Sequence, residues 1–557
     1  MSRRQGRYLM LEQMLAAGVR HVFGNPGTTE QAFMDALNDY PQLQYILALH
    51  EGVAVGMADG YSRLSPVPAF VQLHITPGLG NAMGMLYNAY WTRAPMVVYV
   101  GQHPQRGGQQ EPILWGDVVG MARSVTKWAA EVQDAADLPM LLRRAFQVAA
   151  APPQGPVLLS VPANIMDEEA EAEVAPPSYA RTAMRPEPEA VEEAAEWLAQ
   201  AQSPVIVAGA GAAHAHRQLA TLAELVGARL HVSFGPVGPV GADHPLYAGP
   251  LNVVSAAGLK AQLSGADLVL AVGTPVFRGL FPILENPFPG GCRVVHIDLD
   301  QWELGKNWPV HLAILADPAQ ALQELVEAVE RRLTPAQREE ARRRREAVAS
   351  LRQAMAQAMD ASARERWDER PMPPARFAYE LARALHPDTL LYDESITVGG
   401  QLGRHLSLGP GQHFRAAGGG LGPGMPAPIG LKLACPERPV LAVVGDGSAL
   451  YTIQALWTAA HYGLPVTWVI ANNASYRILK LNMLEYLGEG AAGRAFVAMD
   501  LTDPEVDFVA LARAFGVKGV RLEDPQDIGP AVREAQQARE PRLIDVAIAG
   551  SVRGGFL

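Results

Sequence analysis

An apolar run, Val440-Leu-Ala-Val-Val, stops at Gly445-Asp-Gly-Ser448, and roughly two dozen residues later a second run, Val469-Ile-Ala, stops at Asn472-Asn473. Between them the residues from Ala449 to Tyr462 have helical character. Two short apolar runs with turn residues at their ends and a helical pattern between them read as a βαβ unit. The handedness of such units sets the strands parallel. Open parallel sheets bind ligands beyond the carboxyl ends of their strands. That is where this unit puts Asp446, Asn473 and the Ala474-Ser475 turn. The donors are hard oxygens: a carboxylate, an amide oxygen and a carbonyl or hydroxyl. Such a set suits Mg²⁺, which keeps coordination positions for phosphate oxygens. Gly445 and Gly447 let backbone N–H groups approach a diphosphate, and the helix start favours the anion. Gly-Asp-Gly alone is ordinary turn chemistry. The pair, each half closing a strand, points to a metal–diphosphate site.

The other apolar runs extend the pattern. In residues 1–168 five short strands (around Val22, Ile46, Val71, Val98 and Leu159) alternate with helices. Residues 167–190 are acidic and rich in Ala and Pro, and read as a linker. A second α/β unit, 186–334, has strands around Ile206, Leu270 and Val295. Its Gly209-Ala-Gly211 lacks the third glycine of a dinucleotide fingerprint, and a tight turn is the plainer reading. Residues 335–373, with Arg and Glu interleaved, read as a solvated connecting helix. Residues 374–557 hold the Gly-Asp-Gly unit. The expected fold class is therefore α/β, with three doubly wound parallel-sheet domains. A chain of 557 residues has room for several such cores. Its net charge of -11 argues against a nucleic-acid partner. No apolar run reaches membrane length, so no membrane partner is expected. Two cysteines and an amphipathic first helix, interrupted by Glu12 and Gln13, fit a cytoplasmic protein with no secretion signal.

Three polar clusters close strands of the first domain: Phe23 to Glu30, Leu49-His-Glu-Gly52, and Leu73 to Asn81. Singly, Thr28 reads as a helix cap, Glu51 as a surface carboxylate and His74 as a loop histidine. Together, at successive strand ends, they read as one site.

Asn25-Pro-Gly-Thr-Thr-Glu30, His50-Glu51, His74 with Gly78-Leu-Gly-Asn-Ala-Met83, Ala417-Gly-Gly-Gly-Leu-Gly422 and Gly445-Asp-Gly-Ser448 together resemble the thiamine diphosphate (ThDP) enzyme superfamily. The similarity is to its benzoylformate decarboxylase and 2-hydroxyacyl-CoA lyase-like branch, with acetolactate synthases and oxalyl-CoA decarboxylases as wider relatives. It spans nearly the whole chain in the same order. The resemblance implies a pyrimidine-binding domain, a central domain and a diphosphate-binding domain. It implies ThDP between two subunits of a homodimer or homotetramer, with Mg²⁺ on Asp446, Asn473 and Ser475. Glu51 would share a proton with the pyrimidine ring, beside Asn81. Leu421 would fold the cofactor, and Gly419 would accept from its amino group. Ile396, Thr397, Gly447, Ser448 and Tyr476 would also touch it. His74 would handle substrate protons, and Thr28 would orient the substrate. The implied activity is a carbon–carbon lyase working through a carbanion/enamine intermediate, with the cofactor as electron sink.

The chain departs from benzoylformate decarboxylase at two places. The central-domain segment Pro275 to Phe281 lacks that enzyme's second histidine. The expected substrate pocket, Arg415, Ile478, Leu479 and Asn482, is more polar. Glu485 reads either as a replacement acid/base or as a solvent-facing helix residue, and 551–557 either as a lid or as a frayed end. The small-molecule substrate these changes suggest first is a 2-hydroxyacyl-CoA thioester, cleaved to formyl-CoA and an aldehyde or ketone. Benzoylformate-type decarboxylation of a 2-oxo acid and acetolactate synthase-like carboligation are alternatives, the latter without a recognisable flavin segment. A non-catalytic regulatory protein on the same fold is a further alternative, against which the retention of Glu51 and Asp446 speaks.

Overall fold

The computed structural model describes residues 3–491 and 494–552. They fall into two compact units. One comprises the chain up to Ala180 with Glu369–Leu402 and Ala416 onward; the other comprises Arg181–Asp368 with Gly403–Arg415.

The first unit holds two parallel sheets. One runs in the order Gln44–Leu47, His21–Gly24, Ala69–Leu73, Met96–Gln102, Pro156–Pro162, Trp128–Glu131. The other places Leu390–Glu394, Val440–Gly445, Val466–Asn472, Arg542–Ala547 and Lys518–Leu522 side by side, all parallel. From His21–Gly24 onward the two sheets have the same relative strand order. Their central strands are buried along their whole length, as expected where helices cover both faces of a parallel sheet.

Glycines bring the two halves of this unit into close contact. Helix Glu51–Ser62 packs on helix Ala427–Ala434. A side chain at Gly60 would enter the backbone at Ala427, and one at Gly430 the backbone at Met57. Tyr462 adds a polar tie. Its hydroxyl donates to Tyr45 O at 2.8 Å and accepts from Leu47 N at 2.9 Å.

The second unit has one parallel six-stranded sheet, ordered Tyr247–Pro250, Arg229–Val232, Pro204–Ala208, Leu268–Val272, Arg293–Asp298, Leu312–Leu315. This is the winding of dinucleotide-binding folds. Its first turn, however, is closed tightly. Gly211 N donates to Gly273 O at 3.0 Å, and a side chain at Gly211 would lie 2.9 Å from Gly273 Cα. Helix Pro335–Glu365 buries only Ala341. Its arginines pair with glutamates a turn away, as Arg342 does with Glu339 at 2.6 Å, the pattern of a solvated helix.

One expected element differs. The helical stretch from Ala449 to Tyr462 is broken into Asp446–Ala449 and Ala455–His461. Between them the Thr452 hydroxyl turns to the Gly422 carbonyl, so the glycine loop takes a bond that continuous helix would not supply. Among the described residues no helix is long and apolar enough to cross a membrane.

Candidate active site

At the ends of the first sheet's strands, Glu51 opens the helix that follows Gln44–Leu47. The preceding residue caps that helix: His50 Nδ1 accepts from Gly52 N at 3.0 Å. The Glu51 side chain is nearly buried, and its Oε2 accepts from Asn81 Nδ2 at 3.0 Å. Gly78 separates Glu51 from His74. A methyl there would sit 3.1 Å from Glu51 Oε1 and 3.3 Å from His74 Cβ. Glu51, Asn81 and His74 are thus brought together. Thr28 is exposed as the first residue of a short 3₁₀ turn, with Gly27 in the cap position.

Sequence reasoning missed the partner of His74. Glu30 is fully buried, and its Oε2 lies 2.9 Å from His74 Nδ1. The same carboxylate accepts from Gly27 N at 3.0 Å and from the Thr29 hydroxyl at 2.6 Å. A carboxylate on one ring nitrogen fixes the imidazole's orientation and tautomer and leaves the other nitrogen for proton transfer. Gly27 is required here, because a side chain would enter the His74 ring. The only hint in the sequence was an acid closing the Asn25 to Glu30 motif.

The other sheet of the first unit, that of Leu390–Glu394 and Val440–Gly445, supplies the second cluster. Asp446, at the end of Val440–Gly445, accepts from Gly447 N at 2.9 Å and from Ser475 N at 3.2 Å. Asn473 Oδ1 accepts from Ser475 N at 3.0 Å and from the Ser475 hydroxyl at 3.1 Å. Asp446, Asn473 and Ser475 therefore converge. Burial pushes the Asp446 carboxyl up to about 6, against the pull of the backbone N–H groups around it. A carboxylate desolvated in this way, beside neutral oxygen donors, fits a hard divalent cation that would restore its charged form. Among the described residues no group of three or more His, Cys, Asp or Glu side chains could hold a metal ion. The Tyr476 ring covers Gly447, which has no room for a side chain.

The glycine loop carrying Gly419 and Leu421 is held from two sides. Asn88 clasps Gly420, with Nδ2 donating to the carbonyl and Oδ1 accepting from the N–H, both at 2.9 Å. Glu394 is buried and accepts from Gly422 N at 2.7 Å and Gly424 N at 2.6 Å. Its carboxyl is pushed up to about 8 by burial, against these bonds and one from the Ser448 side chain. Neither Asn88 nor Glu394 was singled out from sequence, although an acid closing an apolar strand is the signal that found Asp446. Ile396 and Thr397 follow Glu394 after Ser395. Ile396 has φ +43°, and Ile75 and Ala474, which also follow strand ends, have φ +39° and +51°. Such backbone is strained for any residue with a side chain, and most of all for a β-branched one.

The expected pocket residues divide. Ile478, Asn482 and Glu485 share a face of helix Arg477–Leu487, with Glu485 exposed and Leu479 45% exposed beside them. Arg415 belongs to the second unit. There its N–H donates to Pro236 O at 2.9 Å, and it lines a small cavity of about 30 Å³ with His413 and Tyr247. Residues 553–557 of the expected lid lie outside the described residues.

Two halves of a doubly wound unit, one presenting paired acid/base groups and one an oxygen cluster under a glycine loop, define a cofactor-dependent enzyme. Comparison with known proteins identifies the cofactor. Residues 4–121 match the N-terminal binding domain of thiamine pyrophosphate (that is, ThDP) enzymes, 191–325 their central domain and 398–546 their C-terminal binding domain. The chain is 34% identical to the benzoylformate decarboxylase of Pseudomonas aeruginosa, over 95% of this chain and 96% of that one. It is 27% identical to the acetolactate synthase isozyme 3 large subunit of Escherichia coli, over 99% and 97%. A solved ThDP-dependent 4-hydroxybenzoylformate decarboxylase from Rhodococcus jostii superposes with a TM-score of 0.84 at 30% identity, covering 98% of this chain and 99% of that one. The chain belongs to the thiamine pyrophosphate enzyme family, in its benzoylformate decarboxylase-like branch. It is an enzyme of the decarboxylase and carbon–carbon lyase kind.

Proposed function

We propose that this enzyme is a ThDP- and Mg²⁺-dependent carbon–carbon lyase whose two clusters divide the work. The observation that carries this reading is the grouping of Glu51, Asn81 and the His74–Glu30 pair about Gly78. Bound ThDP supplies an electron sink for breaking a carbon–carbon bond beside a carbonyl. The rest is the work of the chain. Residues 1–168 contribute Glu51, which would exchange a proton with the pyrimidine ring nitrogen of bound ThDP, while Asn81 holds one carboxylate oxygen. His74, aimed by Glu30, donates or removes a proton at the substrate oxygen, and Thr28 orients the substrate's polar end. Residues 374–557 contribute Asp446, Asn473 and Ser475 to Mg²⁺, and Ile396, Thr397, Gly447, Ser448 and Tyr476 to the diphosphate end. Gly419 and Leu421 shape the loop that would hold the aminopyrimidine. Residues 186–334 form the central domain and 335–373 its connection.

We place the cofactor between copies of the chain, in a homodimer or homotetramer. This is supported by the exposed apolar side chains around both clusters, Leu49, Ile396, Tyr451 and Leu479, more than an isolated site would leave to water.

The substrate we assign first is a 2-hydroxyacyl-CoA, cleaved to formyl-CoA and an aldehyde or ketone. Two features support it: Pro275 to Phe281 offers no histidine, and the helix face of Ile478, Asn482 and Glu485 is polar toward its end. Benzoylformate-type decarboxylation of a 2-oxo acid is the second reading, favoured by the 34% identity to a benzoylformate decarboxylase along almost the full chain. The test is incubation of the ThDP/Mg²⁺-loaded enzyme with a panel of 2-oxo acids and 2-hydroxyacyl-CoA thioesters, with products read by mass. Formyl-CoA supports the first reading. Carbon dioxide and an aromatic aldehyde from benzoylformate, with no formyl-CoA from any thioester, replace it with the second.

A further inference from the structure

Strand Arg542–Ala547 lies between two others, and its inner residues Leu543–Val546 are buried and apolar except for one acid, Asp545, only 1% exposed. A carboxylate in the interior of a parallel sheet is costly unless it is paired and hydrogen-bonded. Both of its oxygens have partners. Arg521, its register neighbour on Lys518–Leu522, reaches Oδ2 at 3.3 Å. Asn472 Nδ2 donates to Oδ1 at 3.0 Å. Asp545 stands opposite Ile470 on Val466–Asn472, so Asn472, two residues on, shares its face of the sheet.

The other end of the Asn472 amide is also used. Oδ1 accepts from Ala474 N at 3.1 Å. Ala474 has φ +51°, a conformation an alanine adopts only when its surroundings impose it. This bend aims the next N–H, that of Ser475, at both Asp446 Oδ2 and Asn473 Oδ1. One chain of bonds therefore runs from Arg521 through Asp545 and Asn472 to the strained turn that joins Asn473 to Asp446.

The geometry points to Asp545 and Asn472 as positioning residues that set the turn on which Mg²⁺ affinity depends. Asp545 fixes which way the Asn472 amide faces, and the amide oxygen holds Ala474 in its bend. The first asparagine of Asn472-Asn473 thus shapes the turn while the second offers an oxygen to the cation. The inference rests on the reading of Asp446 and Asn473 as Mg²⁺ ligands. Partners that orient metal ligands typically change affinity ~10–100-fold when removed, and that is the effect expected here.

The test uses the full chain freed of metal with a chelator, at saturating ThDP, with Mg²⁺ titrated and the melting temperature read. Asp545→Asn, which can present an N–H where an acceptor is needed, should raise the Mg²⁺ midpoint ~10–100-fold. Asn472→Ala should do the same, and it stands in if Asp545→Asn does not fold. A purely structural role for the pair would lower the metal-free melting temperature and leave the midpoint where it is in the unaltered protein, and that result overturns the inference. Asp446→Ala, run in parallel, separates the two levels. If it keeps the normal Mg²⁺ response, the ligand reading fails and takes the inference with it. If it loses the response while both other variants keep the normal midpoint, only the inference fails.

Discussion

The strand-end loops of the first unit's two sheets, that of Ala69–Leu73 and that of Val440–Gly445, belong to the same winding, yet they treat their carboxylates differently. In the first sheet Glu30 and Glu51 are each tied to another side chain, His74 in one case and Asn81 in the other, and Glu30 accepts from Gly27 N as well. In the sheet of Val440–Gly445 Asp446 and Glu394 are held chiefly by backbone N–H groups, with the Ser448 side chain added on Glu394, and burial raises the pKa of both, to about 6 and about 8. Side-chain partners suit groups that exchange protons, because both members can respond to a change of charge. Backbone partners fix shape, and leave a desolvated carboxylate whose charge a bound cation would stabilise. Repetition of a winding thus gives both halves carboxylates at their strand ends, while local chemistry gives those carboxylates different partners.

The comparison breaks most readily at Glu51. Glu51→Gln keeps the shape and cannot exchange the proton in the same way. Deuterium exchange at the thiazolium C2 of bound ThDP, followed by NMR, should fall ~10²–10⁴-fold, the usual weight of a general acid/base. Next comes Asp446→Ala. It should remove the stabilisation that saturating ThDP and Mg²⁺ confer, about 2.7 kcal/mol at ~100 Kd, read as the melting shift on adding both. Glu30→Gln should leave that shift in place while turnover falls ~10–100-fold, since hydrogen bonds to charged groups contribute ~1.5–3 kcal/mol. A steady-state kcat with ThDP binding measured alongside checks it.

The smallest effect sharpens the contrast through pH. The folded-state pKa of Glu394, about 8, lies above the unfolded value, so between the two the folded protein holds the extra proton. The contribution of this group to stability is therefore fully present below the unfolded pKa and lost as pH rises through about 8. Denaturant midpoints of the cofactor-free protein should fall across that range, and Glu394→Gln should flatten the slope.

How much of this was legible follows from the range of the interactions. The Gly445-Asp-Gly-Ser448 and Asn472-Asn473 ends were readable because each closes an apolar strand, a local pattern. Glu51 and His74 were readable for the same reason. The bond from Glu30 to His74 spans 44 residues and the clasp of Asn88 on Gly420 spans 332. No periodicity signals either. The break at Thr452 was hidden because helical propensity carries no information about a carbonyl at Gly422 waiting for a donor. Arg415 was read as a pocket residue from the resemblance, and its backbone bond to Pro236, a contact no local pattern announces, places it in the second unit. Strain at Ile75, Ile396 and Ala474 is likewise invisible in composition, since nothing about isoleucine or alanine announces a positive φ.

The division of labour between the two halves is tested most directly by one thermal-shift experiment on Glu51→Gln and Asp446→Ala together, each titrated with ThDP at saturating Mg²⁺. The account predicts that Glu51→Gln keeps a melting shift close to that of the unaltered enzyme while Asp446→Ala shows none. A shift that survives in Asp446→Ala and disappears in Glu51→Gln would contradict it, because the first-sheet cluster would then be the one that holds the cofactor.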